Sequence, residues 1–208
     1  FDGDGDRLII VDEKGNEIDG DKIIALFAKH LIKFNKSKSK YPIVSTVMSN
    51  IGLENYILNK FKIKLRRSSV GDINVIKEMQ NHNSLLGGEQ SGHIILSEYS
   101  KTGDAILAAL KVTEIMTKLK KSASLIFKLY EDSAQIKINI PYKKISKKTV
   151  NYIKSLNKKK LRDREMRILI RLSGTEPLIR ILVEGNDLTK VNEKAINLYF
   201  KFGYIPHP

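Results

Sequence analysis

Ile43-Val44-Ser45-Thr46-Val47-Met48-Ser49-Asn50-Ile51-Gly52-Leu53-Glu54-Asn55-Tyr56-Ile57-Leu58 carries two periodicities in succession. Ile43 to Val47 is short, apolar and β-branched, which predicts a buried strand. Ser49 or Asn50 then offers a side-chain oxygen to the free N–H groups of a first helical turn. Leu53, Ile57, Leu58 and Phe61 follow on one helical face. A strand running into a capped helix is the repeating unit of α/β folds. Toward the C-terminus the unit recurs. Ile63 to Leu65 reads as a strand, and Asp72 opens a helix carrying Ile73, Ile76 and Met79. Leu85 and Leu86 enter a Gly-rich loop and Ile94 to Leu96 leave it, after which Asp104 caps a long helix through Leu107, Leu110, Ile115 and Leu119. Toward the N-terminus, Leu8 to Val11 reads as a strand closed by the turn Glu13-Lys14-Gly15-Asn16. Asp21 caps a helix with Ile23, Ile24, Phe27, Leu31 and Phe34 in step, and polar Asn35 to Lys40 reads as a linker. The alternation predicts an α/β fold with a largely parallel sheet.

Beyond a boundary at Ser122 to Ser133 the pattern changes. Ile136, Ile138 and Ile140 alternate with polar residues, as in a half-buried strand. A helix over Lys148 to Leu156, strands at Ile168 to Leu172 and Leu178 to Val183, and a closing helix over Leu188 to Phe202 complete a smaller α+β domain. The chain has 208 residues, 41% hydrophobic and 29% charged, an ordinary balance for packed domains. Without cysteine, disulfides, thiolate zinc sites and thiol catalysis are excluded. No apolar run approaches the roughly 18 residues of a membrane span. The chain opens on Phe1 with no charged-then-apolar leader, and is read as a processed or truncated product.

The net charge is +14. Basic residues crowd at Lys143, Lys144, Lys147, Lys148, Lys158, Lys159, Lys160, Arg162, Arg164 and Arg167. A nucleic-acid stripe is disfavoured: no aromatics interleave for base stacking, and Asp163 and Glu165 interrupt the run. The run reads as a solvated face in a field that also concentrates small anionic substrates.

Three polar loops carry chemistry. In Phe1-Asp2-Gly3-Asp4-Gly5-Asp6-Arg7, three carboxylates at every second position, spaced by glycine, can converge on one point. All-oxygen ligands select a hard cation, Mg²⁺ or Ca²⁺. An EF-hand would also place Asp2, Asp4, Asp6 and Glu13 at ligand positions, but its sixth position needs glycine and holds Arg7, and the flanks are not helical. A bland acidic turn leaves three carboxylates repelling one another. A haloacid-type phosphatase needs its aspartate pair at the end of a strand that does not precede them here. A phosphate-handling Mg²⁺ site also accounts for Arg7, whose guanidinium grips phosphate. In Gly87-Gly88-Glu89-Gln90-Ser91-Gly92-His93, Glu89 accepts sugar hydroxyls, Ser91 donates or accepts, and His93 is either a proton shuttle or a satisfied structural residue. In Arg171-Leu172-Ser173-Gly174-Thr175-Glu176-Pro177-Leu178-Ile179-Arg180, two hydroxyls, backbone amides and two arginines make either a nest for a phosphate dianion or a plain hairpin turn.

Together and in this order the loops resemble the α-D-phosphohexomutase superfamily, whose metal, sugar and phosphate motifs are DGDGDR, GExSGH and RxSGTEP. Val44 to Glu54, Val70-Gly71-Asp72 and Glu89 to His93 are most similar to the bacterial branch that interconverts glucosamine 6-phosphate and glucosamine 1-phosphate for cell-wall precursors. The resemblance implies Mg²⁺ on Asp2, Asp4 and Asp6, with Arg7 beside an enzyme phosphoserine. It implies the sugar on Glu89 and Ser91, His93 assisting proton transfer, and the non-reacting phosphate on Arg171, Ser173, Gly174, Thr175 and Arg180. It further implies a cytoplasmic enzyme whose partners are a phosphosugar and the N-terminal half of the same enzyme, with no nucleic acid and no membrane. The family's active serine lies in a Thr-Ala-Ser-His-Asn-Pro-like loop that these 208 residues lack. The expected organisation is therefore the tail of a truncated α/β domain over 1–37, an α/β domain over 38–127 and a smaller α+β domain over 128–208. Ile73 and Ala105 stand where the family has Arg and Gly. A non-catalytic sugar-phosphate-binding remnant is the competing reading.

Overall fold

The computed structural model describes residues 1–34, 41–142, 145–158, 162–163, 166–174 and 176–203. They form two compact units, Phe1–Asp132 and Ser133–Pro208. The first unit runs β1 (Ile10–Val11), β2 (Glu17–Ile18), α1 (Gly20–Phe34), β3 (Ile43–Thr46), α2 (Ile51–Phe61), β4 (Leu65–Ser68), α3 (Asp72–Asn81), β5 (Leu86–Gly88), β6 (Ile94–Leu96), α4 (Ala105–Leu119) and α5 (Ala123–Ile126). The second runs β7 (Ala134–Pro141), α6 (Lys147–Lys158), β8 (Arg162–Asp163), β9 (Met166–Leu172), β10 (Leu178–Gly185) and α7 (Leu188–Gly203).

In the first unit the main sheet has the order β4-β3-β5-β6. β3 is parallel to both β4 and β5, and β6 returns antiparallel to β5. All four residues of β3 are buried, as a central strand covered on both faces requires. Ile43 points into one core with Leu53, Ile57, Leu86 and the buried run Ile23 to Ala28 of α1. Val44, one residue on, points into the other core with Val75, Met79 and Ile95. This period of two makes the unit three-layered, with α3 on one face and α1 on the other. Each fully buried aliphatic side chain contributes about 1.5–3 kcal/mol.

Helix ends follow the caps expected of the sequence with one correction. Asn50 accepts from the Gly52 amide at 2.8 Å to start α2, and Asp104 accepts from the Leu107 amide at 2.8 Å to start α4. At α1 the cap is Asp19, which accepts from the Lys22 amide at 3.2 Å, and Asp21 sits inside the first turn. The strand expected at Ile63 to Leu65 lies later, because α2 closes on a left-handed Lys62 and pairing begins at Leu65. Arg66 and Arg67 interrupt the apolar pattern of an edge strand and hid its true extent. The expected linker Asn35 to Lys40 lies outside the described residues.

The second unit is an antiparallel sheet, β7-β10-β9-β8, with α6 against β9 and α7 against β7 and β10. Ile140, Ile153, Ile170, Ile179, Ile181, Val183, Val191, Ala195, Leu198 and Phe202 build its core. Two-residue β8 carries no periodicity to read. Lys143, Lys144, Lys159, Lys160 and Arg164 of the basic run lie outside the described residues. Arg167 is not part of a solvated face: it is buried, with its Nε 2.6 Å from Glu184 Oε2. No described helix is long and apolar enough to cross a membrane.

Candidate functional site

The loop before β1 brings Asp2, Asp4 and Asp6 together, with one carboxylate oxygen of each within 4.8 Å of the others. Asp2 and Asp4 are exposed and Asp6 is half-buried. Arg7 closes the loop on itself. Its amide donates to Asp2 Oδ1 at 3.1 Å, and its Nε lies 3.7 Å from both Asp2 Oδ2 and Asp6 Oδ1. Desolvation pushes the Asp2 carboxyl up, but the Arg7 amide, the Asp6 side chain and the Arg7 charge together hold it below the ordinary value. Asp6 Oδ1 is buried and makes no hydrogen bond. An oxygen-only set with one bare, buried carboxylate oxygen fits a hard divalent cation. Glu13, the twelfth position of the EF-hand reading, is spent elsewhere. It accepts from the Ser124 amide at 3.1 Å and from the Ser124 hydroxyl.

The glycine-rich loop is the β5–β6 connection, and it is stitched to the acidic loop. Arg7 and His93 form an antiparallel bridge, and the Leu8 amide donates to the Gly92 carbonyl at 3.0 Å. Gly92 has φ +94° and its Cα faces the Leu8 backbone, so a side chain there is excluded twice. The Ala105 amide at the start of α4 donates to the Gly5 carbonyl at 3.2 Å. His93 is 2% exposed, and its Nδ1 lies 3.2 Å from Asp6 Oδ2. Glu89 is buried and accepts from the Gly71 amide at 3.0 Å, while Ser91 is exposed. The structure thus gathers Asp2, Asp4, Asp6, Arg7, Glu89, Ser91 and His93 into one connected set of loops.

In the second unit the loop 173–177 connects β9 to β10. Arg171 and Arg180 face each other directly across the antiparallel pair. The Nε of each is buried and makes no hydrogen bond, while Arg180 Nη2 pairs with Glu176. Burial first, and then the Arg180 charge, lower the Arg171 guanidinium from its ordinary value. Like charges directly opposite on a sheet are destabilising. Two donors held bare at such a pair are arranged for an anion. The Ser173 amide is taken by the Leu178 carbonyl at 2.8 Å, Gly174 is open to solvent, and Thr175 lies outside the described residues.

Several residues hold the site together without a local sequence signal. The Gly71 amide holds Glu89. Arg67 clamps the β3–α2 turn by donating to the carbonyls of Thr46 at 3.2 Å and Ser49 at 2.7 Å, with Glu54 3.0 Å from its Nη2. Gly103 walls the His93 ring. The loops that leave β3, β4 and β5 at their C-terminal ends are where ligands bind in open parallel sheets. No local pattern encodes these contacts, because each joins residues distant in sequence.

One unit is an α/β/α layer structure carrying an acidic loop beside a glycine-rich loop, and the other an α+β structure carrying paired arginines. The sequence matches the phosphoglucomutase/phosphomannomutase family, its alpha/beta/alpha domain III over residues 19–133 and its C-terminal domain over 138–195. The chain belongs to this family. Among its relatives, a phosphoglucosamine mutase from Fusobacterium nucleatum is 44% identical over 207 residues, 94% of this chain and 44% of that protein. One from Campylobacter jejuni is 42% identical over 205 residues, 97% of this chain and 45% of that protein. The chain therefore spans less than half the length of these relatives. In fold it is similar to a phosphoglucomutase/phosphomannomutase family protein from Burkholderia thailandensis, with TM-score 0.80 and 19% identity over 100% of this chain and 47% of that one. It is also similar to the N-acetylphosphoglucosamine mutase of Aspergillus fumigatus in complex with GlcNAc-6P and magnesium, with TM-score 0.72 and 20% identity over 95% of this chain and 50% of that one.

Proposed function

We propose that these 208 residues supply the metal, sugar and phosphate sites of a phosphoglucosamine mutase, which moves a phosphoryl group between O6 and O1 of glucosamine phosphate through a bisphosphorylated sugar. The observation that carries the reading is the joining of the acidic loop to the sugar loop by Leu8 on Gly92 and Asp6 on His93. That joining sets charge neutralisation and sugar recognition side by side. Asp2, Asp4 and Asp6 would hold Mg²⁺, which when bound neutralises charge on a transferring phosphoryl group. Arg7, with its guanidinium about half exposed, is placed to grip a phosphate beside them. Glu89 and Ser91 take sugar hydroxyls. Arg171 and Arg180, with Ser173, Gly174 and Thr175, take the phosphate that does not react. A fixed remote phosphate site accepts either end of the sugar, and its binding energy orients the reacting end. The phosphoryl-carrying serine comes, in this reading, from sequence preceding the metal loop in the longer relatives, and that segment is the partner of these residues. A cytoplasmic location belongs to the same reading.

The test is binding of glucosamine 6-phosphate to the chain, followed by calorimetry. Arg171→Ala and Arg180→Ala each remove a charge-assisted hydrogen bond and are expected to weaken binding roughly 10- to 150-fold. Unchanged affinity in both variants contradicts the assignment.

A further inference from the structure

The β4–α3 turn contains no residue of the sugar loop, yet it holds that loop's carboxyl group. β4 ends at Ser68 and α3 begins at Asp72, with Gly71 as the residue that enters the helix. Gly71 has φ +114° and ψ 135°, a backbone conformation that side chains other than glycine's rarely allow. Space is not the reason for glycine. A Cβ at this position would meet only Asn74 Nδ2, at the ordinary contact distance of 3.4 Å. The reason lies in what the two ends of the residue do. Its carbonyl accepts from the Asn74 amide at 3.0 Å and from the Val75 amide at 3.2 Å, which starts α3. Its own amide turns away from the helix and donates to Glu89 Oε1 at 3.0 Å. A residue that enters a helix ordinarily does so from the β region, with φ negative. With the carbonyl fixed by α3, a negative φ swings the preceding peptide about the N–Cα bond and carries its N–H away from Glu89. The turn is pinned on its other side as well. Asn74 Nδ2 donates to the Val70 carbonyl at 2.8 Å, and the Val47 amide to the Ser68 carbonyl at 2.9 Å. Glu89 is buried, so the groups bonded to it set its orientation.

We infer that Gly71 is a positioning residue for sugar recognition: its positive φ turns a backbone amide onto Glu89 and so fixes the carboxyl group that takes sugar hydroxyls. The inference rests on the proposed sugar role of Glu89 and deepens it. It makes the β4–α3 turn a determinant of sugar affinity, acting through Glu89 and not on the phosphate. A side chain at position 71 fits the space but not the dihedral, so it misdirects the amide without filling the site.

The experiment is binding of glucosamine 6-phosphate and of inorganic phosphate to the 208-residue chain, to Gly71→Ala, to Glu89→Ala and to the double variant, followed by ligand-observed NMR. Gly71→Ala should weaken glucosamine 6-phosphate about 10-fold, the value of a hydrogen bond to a charged group, and change inorganic phosphate by less than about twofold. In the Glu89→Ala background the same substitution should change sugar phosphate affinity by less than about twofold, because the two residues act as one unit. A merely structural glycine would weaken both ligands, and would do so whether or not Glu89 is present. Unchanged affinity in Gly71→Ala, equal loss for both ligands, or the same loss in both backgrounds overturns the inference. Absence of glucosamine 6-phosphate binding by the native chain, or Glu89→Ala without effect, overturns the sugar reading itself and this inference with it. A measurement without substitutions stands beside these in case the Ala variant does not fold. The ¹⁵N–¹H signal of the Gly71 amide should shift when glucosamine 6-phosphate is added and stay in place with inorganic phosphate. A signal indifferent to the sugar phosphate, or moved equally by both ligands, overturns it.

Discussion

Asp21 sits in the first turn of α1 with no exposed surface, accepting from the Asn50 amide at 2.8 Å, and its Oδ1 makes no hydrogen bond. Burial, reinforced by the charge of Asp19, raises its carboxyl to about 7, against the pull of the Asn50 amide and the Ser49 side chain. The folded chain therefore keeps a proton that the unfolded chain releases near pH 4. Stability from this group is full below that pH, falls as pH rises toward 7, and levels off above it. Asp21→Asn keeps the acceptor and removes the charge. It should flatten this part of the pH dependence and leave the variant more stable at pH 8 by on the order of 2 kcal/mol, with little difference near pH 4. Urea midpoints of both chains at the two pH values check this, and parallel pH profiles would contradict it. The sequence reads Asp21 as a helix cap, because an aspartate before an apolar period always invites that reading. Its real partner, Asn50, lies 29 positions away, and no local pattern announces such an acceptor. The convergence of Asp2, Asp4 and Asp6 was legible for the opposite reason: it follows from their spacing alone.

At the scale of elements, the β3–α2 unit was readable because burial and capping are both written locally in Ile43 to Asn50. β4 was not, since an edge strand tolerates Arg66 and Arg67 and so loses the apolar signature. The same limit applies to the β5–β6 connection. Its glycines announce a tight loop, and Gly92 bears that out with φ +94° against the Leu8 backbone. That the loop also bonds α3 through Glu89 and Gly71 is tertiary information. This bond leaves Glu89 fixed and buried. Glu89→Ala is accordingly expected to weaken glucosamine 6-phosphate binding roughly 10-fold or more, the value of a hydrogen bond to a charged group, while inorganic phosphate binding changes by less than about twofold. Titrations of both ligands by NMR decide it. Loss of inorganic phosphate binding in the variant would mean that the sugar and phosphate loops have been assigned the wrong way round.

Over the whole chain the net charge is +14. One member of the basic run, Arg167, is buried against Glu184, and Arg171 and Arg180 each hold a buried Nε with no hydrogen bond. A basic field raises the local concentration of small anions and weakens with salt. Family membership explains why three loops so far apart in sequence occur together, and the proposed reaction assigns each a part of one substrate. In the proposed reaction the phosphoryl donor comes from outside those loops. Losing a covalent nucleophile costs on the order of 10⁶ in kcat. The most direct measurement is therefore conversion of glucosamine 6-phosphate to the 1-phosphate, with Mg²⁺ and a sugar bisphosphate primer. It compares the 208-residue chain with a fusion in which the segment preceding the metal loop in the Fusobacterium nucleatum relative is placed before Phe1. The account predicts no turnover by the chain alone, turnover by the fusion, and loss of that turnover on Asp4→Ala. Turnover by the chain alone, or a folded fusion that binds the sugar phosphate and leaves it unconverted, would contradict it.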